Sequence, residues 1–220
     1  MKKSILILLC AFLAAGNLFA QKDYEADWLY RWSYGMLTPI PAKTDPALSF
    51  RSWNNEWSFG LVKAAIRPAH NHFKIEAGID FNFLSMGSTK PIRYKKSGSE
   101  LVIEELRSGV DFKRSNLRVM QIRVPLSVGV MTFKDFGVMA GVAADFNVYA
   151  WSKAVYKENN SKVRLRDKGF RTKPLGCDLF VEARFDWVSI YGKYSPTVVL
   201  DPSYGPTFAT WSVGVVMNID

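Results

Sequence analysis

Residues 175–187 read Leu-Gly-Cys-Asp-Leu-Phe-Val-Glu-Ala-Arg-Phe-Asp-Trp. The odd positions Leu175, Cys177, Leu179, Val181, Ala183, Phe185 and Trp187 are apolar, while Asp178, Glu182, Arg184 and Asp186 stand between them. A period of two places successive side chains on opposite faces, the mark of a strand with one apolar face. The pattern recurs at 73–83, where Phe73, Ile75, Ile79, Phe81 and Phe83 alternate with Lys74, Glu76, Asp80 and Asn82. It recurs again at 119–130, 136–148 and 207–219. Runs of this length exceed the usual soluble strand of about five or six residues. They suit a tilted membrane strand of about nine to eleven. The polar face carries glycine and both charge signs, as a narrow barrel interior does when its outer positions face lipid.

Eight strands follow: 28–37, 56–67, 72–86, 116–132, 136–152, 174–186, 188–196 and 207–219. The connections between them alternate long and short, the rhythm of an outer-membrane barrel with short periplasmic turns and long external loops. The expected fold is an all-β, eight-stranded antiparallel up-and-down transmembrane β-barrel. Strand 56–67 changes face midway, from Trp57, Phe59 and Leu61 to Val62, Ala64 and Ile66, which calls for a β-bulge. Within 87–115, Ile92–Lys96 and Leu101–Leu106 pair across Ser97-Gly98-Ser99 as a hairpin. It either extends the strands beyond the membrane or makes a ten-stranded barrel. The extension is preferred, because Arg93, Lys95, Lys96, Glu104 and Glu105 are costly against lipid.

The chain begins with Lys2 and Lys3, an apolar run over Ile5–Ala15, and Leu18-Phe19-Ala20 before Gln21. That is the pattern of a secretory signal peptide cut after Ala20. Residues 1–20 are thus read as the leader and 21–220 as the barrel domain. Cleavage leaves 200 residues and lowers the formal charge from +9 to +7, since two lysines leave. Cys10 leaves as well, and Cys177 then has no internal disulfide partner. No later segment has eighteen apolar residues without a charge, so a helical membrane protein is excluded. With 2 His and 2 Cys, most Cys/His zinc sites and a disulfide scaffold are excluded too.

Asn116-Leu117-Arg118-Val119-Met120-Gln121-Ile122-Arg123-Val124-Pro125-Leu126 resembles the strand motif Tyr-Leu-Glu-Ile-Pro-Leu of the Bacteroidetes outer-membrane β-barrel domain family, which includes PorT-like proteins. Val138-Met139-Ala140-Gly141-Val142 is similar to that family's next strand. The resemblance spans most of 56–220 and implies fold and location, with no single activity. Gln121 stands where the family often has an acid, and the chain ends in Asn218-Ile219-Asp220 rather than in an aromatic.

Strand parity turns ten charged residues inward. Arg31, Lys74, Arg123, Arg184 and Lys193 face Glu76, Asp80, Asp145, Asp178 and Glu182. Balanced charges in an interior only wide enough for side chains are expected to pair and close it. Aromatics are expected in two interfacial belts, with Trp28, Phe73, Phe133, Phe136 and Trp187 at one end and Tyr34, Trp57, Trp151 and Tyr194 at the other. Loop 87–115 carries a net charge of +3 and loop 153–173 one of +6. Lys90, Arg93, Lys95, Lys96, Lys162, Arg164, Arg166, Lys168 and Arg171 are the candidates for anionic surface contact, lipopolysaccharide phosphates being the nearest anion. Other envelope proteins are further candidate partners. Nucleic acid is not, because the leader exports the chain and no binding motif is present.

His70 and His72 fall in or beside a short periplasmic turn, away from the long loops, and Cys177 points to lipid. No catalytic residue, metal ligand or cofactor motif emerges. The reading is a non-enzymatic outer-membrane barrel acting through basic external loops in surface binding, adhesion or complex assembly. Its alternatives are a small lipid-modifying enzyme, and a narrow channel or accessory part of a secretion or uptake complex.

Overall fold

The computed structural model describes residues 24–28, 30–41, 49–68, 72–98, 100–133, 136–197, 200 and 208–219, with side chains outside the description at 24–28, 41, 61–68, 100 and 133. The expected leader lies outside the described residues, as does His70.

Among the described residues twelve strands form, in this order: β1 Tyr24–Trp28, β2 Tyr30–Pro41, β3 Asn54–Pro68, β4 Phe73–Ser88, β5 Ile92–Ser97, β6 Glu100–Glu105, β7 Asp111–Phe133, β8 Phe136–Glu158, β9 Ser161–Lys168, β10 Leu175–Phe185, β11 Val188–Ser195 and β12 Phe208–Ile219. Eight of them close an antiparallel ring: β2, β3, β4, β7, β8, β10, β11 and β12, with β12 returning to β2. The barrel therefore has eight strands. β1 continues the β2 edge and pairs with the far end of β3, Tyr24 opposite Pro68. Gaps in the ring are short at one end (186–187, for example) and long at the other (89–110).

The face change in β3 is resolved by a register shift between Gly60 and Val62. One inserted residue switches the parity of the strand, so that Val62, Ala64 and Ile66 fall opposite Ile79, Ala77 and Ile75 of β4.

Two of the expected loops are largely strand. β7 and β8 each run 23 residues, about twice a membrane span. β8 turns at Asn159-Asn160, with φ of 49° and 61°, into β9. Positive φ at both central residues is the two-residue hairpin geometry that Asn tolerates. β7, β8 and β9 thus form a three-stranded sheet projecting beyond the ring.

The expected β5–β6 hairpin forms, with Ile92 opposite Glu105 and Ser97 paired to Glu100 rather than in the turn. It is a separate two-stranded sheet outside the ring ladders. Rather than extending the strands, it packs its apolar side over the barrel mouth. Ile92, Tyr94 and Leu101 join Leu37, Leu84, Met86, Leu117, Val119 and Ala150 from the ring, with Phe170, Leu200 and Phe208 beside them, as one buried apolar cluster. The backbone carbonyl of Tyr94 accepts from the Ser152 hydroxyl at 2.6 Å. Arg93 forks onto Asp167 of β9 at 2.8 and 3.0 Å. These contacts hold the hairpin against the inner face of the projecting sheet.

Outside the ring the surface is apolar. Leu126, Val128, Val138, Val142, Leu179, Val181, Ile190 and Val215 are all exposed. On β8 the outward positions from Val138 to Val148 rise by about 25 Å if tilted as barrel strands are. Aromatic side chains flank this band. Phe136 and Phe185 lie 5.1 Å apart near the short turns, with Phe73 and Trp187 exposed at the same end. Trp57 stacks on Phe83 at 4.1 Å and Tyr149 lies 5.7 Å from Trp151 toward the long-loop end. Tyr34 and Tyr194 are exposed on the same outer surface. The side chains of Trp28 and Phe133 are outside the described residues.

Candidate functional site

The lumen is layered. Nearest the short turns, Arg184 forks onto Glu76 at 2.5 and 2.9 Å and also reaches Glu182 at 3.0 Å. Lys74 bonds Glu76 at 3.0 Å, and Arg31 pairs with Glu182 from the opposite wall. In the next layer Lys193 bonds Glu56 at 2.5 Å and approaches Asp178 at 3.4 Å. Arg123 lies 3.7 Å from Asp178 and 3.9 Å from Asp145, its guanidinium 5.2 Å over the Phe180 ring. The ten residues expected on the inner face all lie at 9% exposure or less. They come together as two adjoining networks of opposed charge, which is what allows ions to sit in a low-dielectric interior.

Glu56 is an eleventh member that the sequence reading missed. It is buried and accepts from Lys193, Tyr191 and Ser212. The signal was parity: Trp57 and Phe59 face outward on the same strand, which turns Glu56 inward ahead of the bulge at Gly60. Asp80 is buried beside a cavity of about 10 Å³ bounded by Arg31, Ser33, Ser58, Arg123 and Tyr191. That volume holds about one water molecule.

A carboxamide chain crosses above the charges. The Asn82 amide donates to Gln121 at 2.8 Å, Gln121 to Asn147 at 2.7 Å, and Asn147 to the Lys173 carbonyl at 2.7 Å. Gln121 donates and accepts at once, whereas an acid at this position would accept only. The apolar mouth cluster closes the lumen above this chain. Charge, amide and hydrocarbon thus form three successive seals.

The basic residues of the long-loop end divide into two sets. Arg93 is neutralised by Asp167, and Lys95 lies 3.4 Å from Glu104. Lys90 and Arg171 are exposed, and each has an interaction partner. Lys96 is exposed near Gly169. Lys162, Arg164, Arg166 and Lys168 alternate along β9 as its exposed positions. Register places Arg166 opposite Lys153 and Lys168 opposite Trp151 on β8. Arg114 and Arg118 of β7 fall opposite Val155 and Trp151 on the same face. The sequence reading counted Arg114 and Lys153 among loop charges and gave Arg118 to a membrane strand. It had no ladder with which to join them to β9. His72 is exposed beside the start of β4, and Cys177 is exposed on the outer wall, so the structure does not bring them together.

No family model matches this chain, and no curated protein matches it. Among solved structures, it is similar to Ail, the attachment invasion locus protein of Yersinia pestis, with a TM-score of 0.38 and 8% identity, covering 90% of this chain and 100% of Ail. It is also similar to Ail in complex with the heparin analogue sucrose octasulfate, with a TM-score of 0.32 and 11% identity, covering 90% of this chain and 99% of that one.

Proposed function

We propose that this chain is a non-enzymatic outer-membrane β-barrel that works through its basic long-loop end, binding anionic partners at the cell surface. One observation carries the reading: a closed ring with an apolar outer band holds a lumen filled by side chains. A closed ring is one of the few ways a strand protein satisfies its backbone in lipid. The sealed interior offers no solute path, so the projecting β7–β8–β9 sheet and its neighbouring loops are left as the working surface. The concentration of cations there supports attraction of phosphate- or sulfate-bearing molecules. Adhesion and assembly with other envelope proteins are the roles that such a surface serves.

The test is fractionation followed by gel mobility with and without boiling. A barrel in the outer-membrane fraction shifts on boiling, and cells carrying it bind a labelled sulfated polymer in a salt-sensitive way. Recovery in the soluble periplasmic fraction with no shift would overturn the membrane reading. Stepwise conductance in planar bilayers would overturn the sealed-lumen reading.

A further inference from the structure

Arg114, Arg118, Lys153, Arg164, Arg166 and Lys168 occupy one face of the three-stranded extension. None of the six has an ion pair among the described residues. Lys153 and Arg166 stand directly opposite each other, an arrangement of like charges that destabilises a sheet on its own. Partial desolvation, followed by repulsion from Arg114, Arg166, Arg164 and Arg118, holds the Lys153 ammonium below its usual range. The buried Nε of Arg118 has no hydrogen-bond acceptor among the described residues. The face is short of anions.

Its position says which anions. Tyr149 and Trp151 lie on the same outward side just below it. Lys153 is two residues beyond Trp151, about 7 Å along the strand. Aromatic belts mark the edge of the hydrocarbon, and the headgroup layer beyond is about 5–7 Å deep. Lys153 and Arg166 therefore stand at headgroup depth, with Arg118 and Lys168 level with Trp151 and Arg114 and Arg164 one pair of residues farther out. They point sideways into the leaflet, where a soluble macromolecule would have to displace lipid to reach them. The opposite side of the same sheet is occupied by the β5–β6 hairpin.

We propose that this face binds the phosphate groups of a phosphorylated glycolipid in the leaflet around the barrel. The site rests on the reading that the barrel spans the outer membrane. Arg164 and Arg166 present forked donors suited to phosphate oxygens, and Lys153 and Lys168 add point charges beside them. Arg118 adds its charge from below, level with Trp151.

The experiment uses the full chain refolded in phosphatidylcholine nanodiscs doped with lipid A or with its dephosphorylated form. Native mass spectrometry after release into detergent counts the retained glycolipid, and unboiled gel mobility is read on the same samples. The wild type retains lipid A at least about tenfold better than the dephosphorylated form, since each cation near a charged surface matters. R164Q/R166Q/K168Q loses that preference, and R107Q in the loop after β6 keeps it. Equal retention of both lipids, or an unchanged preference in the triple variant, overturns the site. So does full displacement of lipid A by a soluble sulfated oligosaccharide, which would assign the face to soluble polyanions. A missing mobility shift in the wild type overturns the barrel reading beneath it, whereas a normal shift without lipid preference overturns the site alone.

Discussion

The phenol of Tyr191 donates to Glu56 across the barrel at 2.5 Å, through a slot left by two glycines facing each other on β2 and β12. A Cβ on Gly35 would collide with the Tyr191 hydroxyl, and one on Gly214 with the Tyr34 carbonyl and the Tyr191 ring. The glycines are required by the close approach of a ring to two backbones, not by their dihedral angles. Gly214→Ala should therefore lower refolding yield and thermal stability more than Tyr191→Phe. The latter removes one hydrogen bond to a carboxylate that keeps Lys193 and Ser212, at a cost of about 1–3 kcal/mol. Thermal unfolding followed by the gel shift measures both. A Gly214→Ala protein as stable as wild type would remove the slot argument.

Arg184 is the hub of the lower charge network, with bonds to Glu76 and Glu182. Arg184→Leu leaves Glu76 with Lys74 and Glu182 with Arg31, so neither carboxylate is stranded. The expected loss is about 3 kcal/mol, the lower end for breaking a buried pair. Adding Glu76→Gln in the same chain should recover part of it. Denaturant unfolding of the two variants checks this, and a double variant no more stable than Arg184→Leu alone would refute it.

Gln121 joins Asn82 to Asn147 by donating one bond and accepting another. Gln121→Glu keeps the shape and removes the donor that reaches Asn147. The variant should fold, with a midpoint lowered by the equivalent of about 1–3 kcal/mol. An unchanged midpoint would mean that the chain of amides contributes little.

Replacing residues 91–106 by a short Gly-Ser linker removes the hairpin from the mouth. The amide and charge layers remain, so the truncated barrel should still show no conductance steps in planar bilayers. Its mobility shift on boiling should persist at a lower temperature, because the apolar cluster loses Ile92, Tyr94 and Leu101. Steps in this variant alone would make the hairpin the gate of a pore.

Arg93→Gln cuts the fork to Asp167 and leaves the ring untouched. Hydrogen exchange over 92–97 and 100–105 should quicken about tenfold, since the charge-assisted bonds tie a separate two-stranded sheet to the wall. Exchange in β4 and β10 should not change.

Strand number, inward parity and the bulge in β3 were legible because a barrel wall sorts residues strictly by face. The switch from Leu61 to Val62 announced the inserted residue before any pairing was known. Two kinds of feature escaped the reading. Glu56 was missed at the first position of the expected strand 56–67, although Trp57 and Phe59 turn it inward. The extension was hidden because Lys162, Arg164, Arg166 and Lys168 alternate with Val163 and Leu165 over a stretch so charged that it read as loop. A strand that leaves the membrane no longer needs an apolar outer face, so its pattern stops resembling its neighbours. The inward fold of the hairpin depends on Ile92, Tyr94 and Leu101 meeting Leu84 and Leu117, contacts that no local window contains.

Among the described residues β9 pairs on one side only, with β8, so its other edge presents a row of backbone groups open to another chain. An uncharged strand in that place would invite neighbouring barrels to zip together edge to edge. Alternate lysine and arginine along it make any two copies repel before their ladders can meet. Crowded molecules are thereby kept apart as individuals, whatever else those cations bind.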